Sequence, residues 1–548
     1  MANTVTVASG VISTGLRVLL GDELDVLSGG QADQTLVYGG AEYISSGGVA
    51  SGSVVNLLGV EYVTNGGIAV GTVVSGALGG EAGGVQYVSS GGMASATLVD
   101  GGDQYIEDGG VASGAVVNYG VQWDYGVTSA TTVNANGLEV VAGLASGTIL
   151  SGGGAEVYGF ASGTLVTDGG VEEVYSGGQT SGAVVSNGLE YILSGAMASG
   201  AVLSDGGLAV VLGFASGTLV TDGAAQYVED GGSVSATQVS GGGLELVGGG
   251  SVANGTVVSN GGLEIVRSGG QEVDGTVSQG GILRVGAGVT FAVQVQSGGA
   301  ETIFAPGQAS GTMVSGGHEY DYGQASGTVI LAGGQEFVGG TASGAMISSG
   351  GREIVLAGGT AAGANLFAGG TLMVRAGGTV SGGLTISAGQ ATILGAMGSG
   401  QTVSFAGAAG TLALNNLPAF SASIAGLSVA AQKIDLGGFT FSAGETVGWT
   451  QSGTSGTLTV QDGPQTANLT LIGTYVVGDF HLANDKHGGT FVADPRPTPH
   501  AAPAATRFVQ AVAGFEGGRA AAGVAAIHDG GTALVGTSPL VGVATSGR

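Results

Sequence analysis

Hydrophobic and polar positions alternate in short, regularly spaced blocks through most of this chain. Apolar runs of three to five residues are separated by glycine or serine turns, and the stretch Asn187 to Val220, NGLEYILSGAMASGAVLSDGGLAVVLGFASGTLV, shows the unit twice. Each copy holds an apolar run, a turn, an Ala-Ser-Gly step, a second apolar run and another glycine turn. Runs this short, rich in Val, Ile, Leu, Tyr and Thr, predict strands rather than helices. Glycine pairs such as Gly47-Gly48, Gly66-Gly67, Gly91-Gly92, Gly109-Gly110 and Gly169-Gly170 allow the chain to turn at positive φ and argue against helix.

A Glu or Gln before an apolar or aromatic residue marks each unit. It recurs at Glu42, Glu61, Gln86, Gln104, Gln122, Glu139, Glu156, Glu173 and Glu190, and later at Gln226, Glu245, Glu264, Glu301, Glu319, Glu336 and Glu353. The spacing is about 17 to 19 residues, apart from an insertion near Ala77 to Gly84, and coils at Ala209 and Leu283 lack the marker; about eighteen or nineteen coils result. A unit of this size cannot bury its own apolar face. Stacked on its neighbours at ~4.8 Å it can, so the repeat predicts an all-β fold, a parallel β-solenoid, forming a rod of roughly 90 Å.

Copies of one position within the chain indicate which side chains point inward. The second residue after the marker is usually aliphatic (Ile44, Val63, Val88, Ile106, Val141, Ile192) and is expected in the core, with Asp124, Tyr158, Tyr175 and Asp321 as exceptions that point to local register shifts. The residue between alternates outward, and in five successive coils it is Tyr43, Tyr62, Tyr87, Tyr105 and Trp123, an expected external aromatic ladder. The same alternation puts the marker inside, where stacked carboxylates repel and are costly to bury; a corner position bonded to the glycine turn is the alternative.

Composition narrows the picture. The 118 glycines come with only 8 prolines and no Gly-X-Y period, excluding collagen, while 43% hydrophobic and 9% charged residues in spaced clusters argue against disorder. With 11 basic against 39 acidic residues, the formal charge of -28 repels phosphate backbones and anionic membranes, so nucleic acid is not an expected partner. The chain has no cysteine, which removes disulfides, thiolate metal sites and thiol nucleophiles. Mean hydropathy is +0.41, yet every apolar run is interrupted well short of the ~20 residues that cross a bilayer. The first basic residue is Arg17 and no long apolar stretch precedes or follows it, so no Sec-type signal is read.

The expected organisation is an N-terminal cap over 1–40, a repeat solenoid over 41–411, a β-rich capping region over 412–494, and a Pro/Ala linker with a flexible C-terminal tail over 495–548. Within the tail, Phe508, Val512 and Phe515 fall at helical spacing. No catalytic constellation, cofactor motif or metal motif is found. His481, Asp485, His487 and Asp494 match no zinc spacing, no EF-hand and no calcium nonapeptide, and are read as a solvated turn. The cluster Gln122, Trp123, Asp124 and Tyr125 has at most a carbohydrate-binding composition.

Glu or Gln before an apolar residue, then SGG, then ASGT before two aliphatics, resembles the AIDA-type repeats of bacterial autotransporter adhesins and related self-associating surface proteins, over about two thirds of the chain. The resemblance implies a right-handed parallel β-helix at the bacterial outer surface or outside the cell, acting in adhesion, self-association or biofilm formation. Its partners would be other cells, glycans or itself, served by a glycosyltransferase and a secretion system. It also implies O-glycosylation of repeat serines, here Ser51, Ser113, Ser146, Ser162, Ser216, Ser310 and Ser326 of the Ala-Ser-Gly steps. The family's signal peptide and membrane β-barrel have no counterpart in the sequence, and the acidic chain with its C-terminal tail is similar to type I secreted proteins. A β-helical polysaccharide-active enzyme and a structural matrix protein are the alternatives.

Overall fold

The computed structural model describes residues 3–76 and 83–493. They form an all-β solenoid of about 22 turns, with extra strands at the C-terminal end and no α-helix among the described residues. The linker, the helical spacing at 508–515, Asp494 and most of the insertion near Ala77 lie outside the described residues.

Each coil contributes three strands. The coil starting at Ala41 has Ala41–Ile44, then Val49–Ser51, then Val54–Asn56, and each pairs in parallel with its equivalent in the next coil. The Ala-Ser step is therefore the end of a strand of its own, giving the stack three sheet faces. Stacking begins at Thr4–Val7, which pairs in parallel with Glu23–Val26, and parallel pairing on the first face continues to Gln432–Leu436. Register is held residue for residue, as in Glu42↔Glu61↔Gln86↔Gln104.

The inward set explains why the repeat is needed. In the coil from Ala41, Glu42 and Ile44 from the first face, Ala50 from the second, Val55 from the third and Ser53 at the corner between them are all completely buried. Ile and Val burial stabilises by about 1.5–3 kcal/mol each, too little to order one coil against its backbone entropy; sharing each layer with the coils on both sides supplies the rest.

The two glycines of a turn pair serve different needs. Gly66 has φ +77°, the left-handed conformation that most side chains avoid. Gly67 has ordinary φ, but a Cβ there would fall on the carbonyl oxygen of Ile44 in the preceding coil. The same division holds at Gly47-Gly48, Gly109-Gly110 and Gly169-Gly170. The expectation of positive φ thus applies to the first glycine of each pair, and close packing between rungs accounts for the second.

Past Leu436 the parallel pattern gives way. Thr446–Ser452, Ser455–Asp462 and Gln465–Ile472 form an antiparallel meander whose last strand pairs in parallel with Ser423–Ala425. Thr490–Ala493 pairs antiparallel with both His481–Asn484 and Gln432–Leu436. Leu458, Val460, Leu469 and Leu471 continue the buried core into this region, with Tyr475 and Phe480 packed beside Trp449.

Candidate functional site

The first face carries the two columns of side chains with chemical character, one pointing out and one pointing in. On the outside, the aromatic ladder is present as continuous stacking. Ring centroids are 4.9 Å apart for Tyr43–Tyr62, 5.4 Å for Tyr62–Tyr87, 5.0 Å for Tyr87–Tyr105 and 6.0 Å for Tyr105–Trp123, with interplanar angles between 3° and 19°. The rung spacing of a parallel sheet sets these distances. Each ring covers its neighbour's face, and the five side chains are half-buried, with the indole Nε1 of Trp123 enclosed.

Strand register extends this column well beyond the five residues read from the sequence. Trp123 is followed by Val140, Glu156, Glu173, Tyr191, Val210, Tyr227, Leu246 and Ile265, and after Arg284 and Thr302 by Tyr320, Phe337, Ile354 and Met373. Tyr320 and Phe337 stack at 5.1 Å. Tyr191, Tyr227, Leu246, Ile265, Tyr320, Phe337 and Ile354 sit at the same offset from the marker as the first five, so the signal for them was in the sequence; Glu156 and Glu173, themselves read as markers, do not. Charge is divided along most of the face: Glu23, Asp25, Asp103, Glu156 and Glu173 occupy outward positions in the first part, and Arg284 and Arg352 in the second, with Lys433 and Asp435 together on the last parallel strand.

Glu156 and Glu173 correct the marker assignment. Register aligns Glu139 with Ala155 and Ala155 with Glu172, so Ala155 and Glu172 hold the inward position in those coils. Tyr158 and Tyr175 therefore fall just past the strand, where their hydroxyls donate to Glu156 at 3.1 Å and Glu173 at 2.7 Å. Asp124 and Asp321, by contrast, keep register and are fully buried. The group Gln122, Trp123, Asp124 and Tyr125 is split, with Gln122 and Asp124 inside and Trp123 and Tyr125 outside.

Inside, the marker residues point into the core rather than to a corner. Glu42, Glu61, Gln86, Gln104, Gln122, Glu139 and their later equivalents are at most 1% exposed. Two devices accommodate them. Glutamines form a chain in which Gln104 Nε2 donates to Gln86 Oε1 at 2.7 Å and Gln122 Nε2 to Gln104 Oε1 at 2.8 Å, and Gln86 Nε2 donates to Glu61. Threonines of the corner between the second and third faces supply hydroxyls: Thr72 to Glu61, Thr97 to Gln86, Thr131 to Gln122, Thr164 to Glu172 and Thr312 to Glu301. The threonine of the ASGT motif is thus an interior partner of the marker, a pairing across the coil that linear spacing did not reveal.

No cation among the described residues enters this interior, and burial pushes the carboxyls up. Loss of solvation raises Glu139, Glu172, Glu245 and Glu301 to about 7, and Glu42, Glu190 and Glu353 to about 8. Many of these groups are protonated near neutrality, and the formal charge of -28 overstates what the folded chain carries.

The candidate serines form a third column, at the end of the second face. Ser113, Ser146 and Ser326 are exposed and Ser51, Ser162, Ser216 and Ser310 half-buried. Register fills the gaps between them: Ser95, Ser113, Ser129, Ser146, Ser162, Ser181, Ser199, Ser216 and Ser235 succeed one another rung by rung. Those outside an Ala-Ser-Gly step were not singled out by the motif. At the C-terminal end, Asp485 Oδ1 accepts the backbone N–H groups of His487 and Gly489, both at 2.7 Å, and among the described residues no cluster of His, Cys, Asp and Glu could hold a metal ion.

No family model matches the chain, and no curated protein matches it. Among solved structures, a TibC-catalysed hyper-glycosylated fragment of TibA is 24% identical, covering 68% of this chain and 100% of the fragment at a TM-score of 0.24. A tailspike protein of E. coli bacteriophage HK620 is 11% identical, covering 90% of this chain and 84% of its own at a TM-score of 0.11. Scores this low add nothing to the geometry, and the solenoid rests on its own strand register; the chain is similar to the TibA fragment over 68% of its length.

Proposed function

We propose that the protein is a secreted or surface-held adhesin-like solenoid that acts through its first face in adhesion, self-association or biofilm formation, without catalysis. The observation that carries this reading is the outward column running from Tyr43 to Met373, aromatic and aliphatic except at Glu156, Glu173, Arg284 and Thr302, on a parallel sheet. Such strips on soluble surfaces mark interaction sites. Because the stacked rings cover one another's faces, sugar rings find a free aromatic face only at the ends of each stack. The strip therefore suits a flat protein partner better than a glycan, and the division of acidic and basic positions along it suits a second copy laid against the first.

In this reading the serine column is the modification face, kept apart from the contact face by a corner of the coil, and the antiparallel strands past Leu436 close the far end of the stack. Intact-mass measurement of protein from its native source checks the modification: mass increments mapping to peptides with Ser113, Ser146 or Ser326 are expected.

The alternative is a matrix protein in which the ladder only stiffens the stack. Replacing Tyr62, Tyr87 and Tyr105 with serine separates the two. The contact reading expects loss of aggregation of beads or cells coated with the protein. Local stability falls in either case, by about 0.2–1 kcal/mol per lost pair. Undiminished aggregation with lower thermal stability leaves the ladder a structural role alone.

A further inference from the structure

The interior carboxyls are unevenly distributed along the stack. Between Leu283 and Leu372, which are aliphatic at the marker position, four successive rungs carry Glu301, Glu319, Glu336 and Glu353, with Asp321 buried beside them. Past Leu372 the position is Ala391, Leu412 and Ile434, and near the other end it is the glutamine chain Gln86–Gln104–Gln122. Glu301 is held by Thr290 at 2.9 Å and Thr312 at 3.2 Å. The carboxyl oxygens of Glu319, Glu336, Glu353 and Asp321 have no hydrogen-bond partner at normal distance.

Among the described residues, everything that faces this block is neutral or acidic. The second face contributes Ala309, Ala325 and Ala342, and the third contributes Val314, Ile330 and Ile347. The corner adds Thr328, whose hydroxyl favours the charged form of Glu319 and Glu336, and the backbone N–H groups of Gly323 and Ala325 favour that of Asp321; burial outweighs both, aided at the glutamates by the neighbouring carboxyls. The cations of these rungs, Arg284 and Arg352, are exposed on the outer side, and His318 lies against the rings of Tyr320 and Phe337. A protonated carboxyl, like a glutamine amide, carries both a donor and an acceptor, and the glutamine chain in this molecule shows that rung spacing lets such groups link directly. A carboxylate only accepts, so the members of an ionised column cannot link to one another and have no counter-charge.

We propose that the carboxyl block between Leu283 and Leu372 is a proton-held lock, which keeps the solenoid stacked in acidic to neutral medium and opens this segment before the glutamine rungs in alkaline medium. The sign follows from linkage. Burial above all, with repulsion from neighbouring carboxyls added at the glutamates, raises Glu301 and Asp321 to about 7 and Glu353 to about 8, and raises Glu319 and Glu336 well above the ordinary value of 4.5. The folded state then holds more protons than the unfolded state above 4.5, so the stability these groups support is complete below that value and is lost as pH rises through about 7–8 and beyond.

Peptide-resolved hydrogen exchange of the full chain at about pH 6 and about pH 9, corrected for intrinsic rates, tests the lock. Protection over 300–355 is expected to fall about tenfold or more beyond any fall at the glutamine rungs 86–122, the equivalent of one pKa unit. The triple substitution Glu319→Gln, Glu336→Gln, Glu353→Gln should remove that extra fall. A fall spread evenly over the stack, or one unchanged in the triple variant, overturns the proposal. Infrared spectroscopy of the unsubstituted protein supplies an arm that needs no variant: a protonated-carboxyl carbonyl band is expected at neutral pH and should vanish on alkaline titration in step with opening. Its absence at neutral pH also overturns the lock.

Discussion

Gly178→Ala is expected to destabilise the stack locally by about 3 kcal/mol, at the upper end for overpacking, whereas Gly182→Ala four residues later is expected to cost about 1 kcal/mol, at the lower end for a left-handed residue. The two glycines look alike in sequence and sit in the same coil. A Cβ on Gly178 would land on the carbonyl oxygen of Val157 in the preceding rung, and relief requires the coils to separate, which lengthens the ladder bonds on each side. Gly182 has φ +66° and nothing within 4 Å of its would-be Cβ. Its corner is occupied elsewhere by Ala96, Ala130, Ala236 and Ala292, all at φ between 52° and 54°, so the molecule already tolerates alanine there. Long repeat arrays do not unfold in a single two-state step, so the comparison is best made by hydrogen exchange in the affected and neighbouring rungs alongside thermal melts. Equal effects of the two substitutions would refute the division of roles between turn glycines.

Gln104→Ala is expected to cost about 3 kcal/mol, combining a buried cavity with an orphaned donor. Gln104 accepts from Gln122 at 2.8 Å and donates to Gln86 at 2.7 Å, in a layer with no access to water. Gln86 Oε1 keeps Thr97, and Gln122 Oε1 keeps Thr131, but the Nε2 of Gln122 loses its only acceptor among those observed. Denaturant melts followed by exchange protection over 86–122 measure the effect. A cost below about 1 kcal/mol would mean that the amide chain is incidental and that the threonine corner alone holds these residues.

These expectations depend on features that the repeat made legible to different degrees. Three kinds of reading succeeded because one period governs the chain: parallel stacking, the inward aliphatics Ile44, Val63 and Val88, and the outward succession Tyr43, Tyr62, Tyr87, Tyr105 and Trp123. Reading failed where one residue of register mattered. Glu156 and Glu173 satisfied the marker pattern yet face outward, because Ala155 and Glu172 hold the inward place and a strand shifted by one residue exchanges its two faces.

The sequence by itself determined that apolar residues recur at a period too short for any unit to fold alone, that glycine marks the same corners each time, and that a stack of parallel rungs is the way to bury such a pattern. Tertiary structure decided what lies beside what across a coil. The marker's place inside, its pairing with corner threonines, the amide chain from Gln86 to Gln122 and the unpartnered carboxyls from Glu319 to Glu353 arise between residues about 8 to 25 positions apart, brought together by coiling and stacking. Period is a property of one chain read along its length; hydrogen-bond partnership and desolvation depend on the three faces that close around each layer, and only the folded coil brings those together.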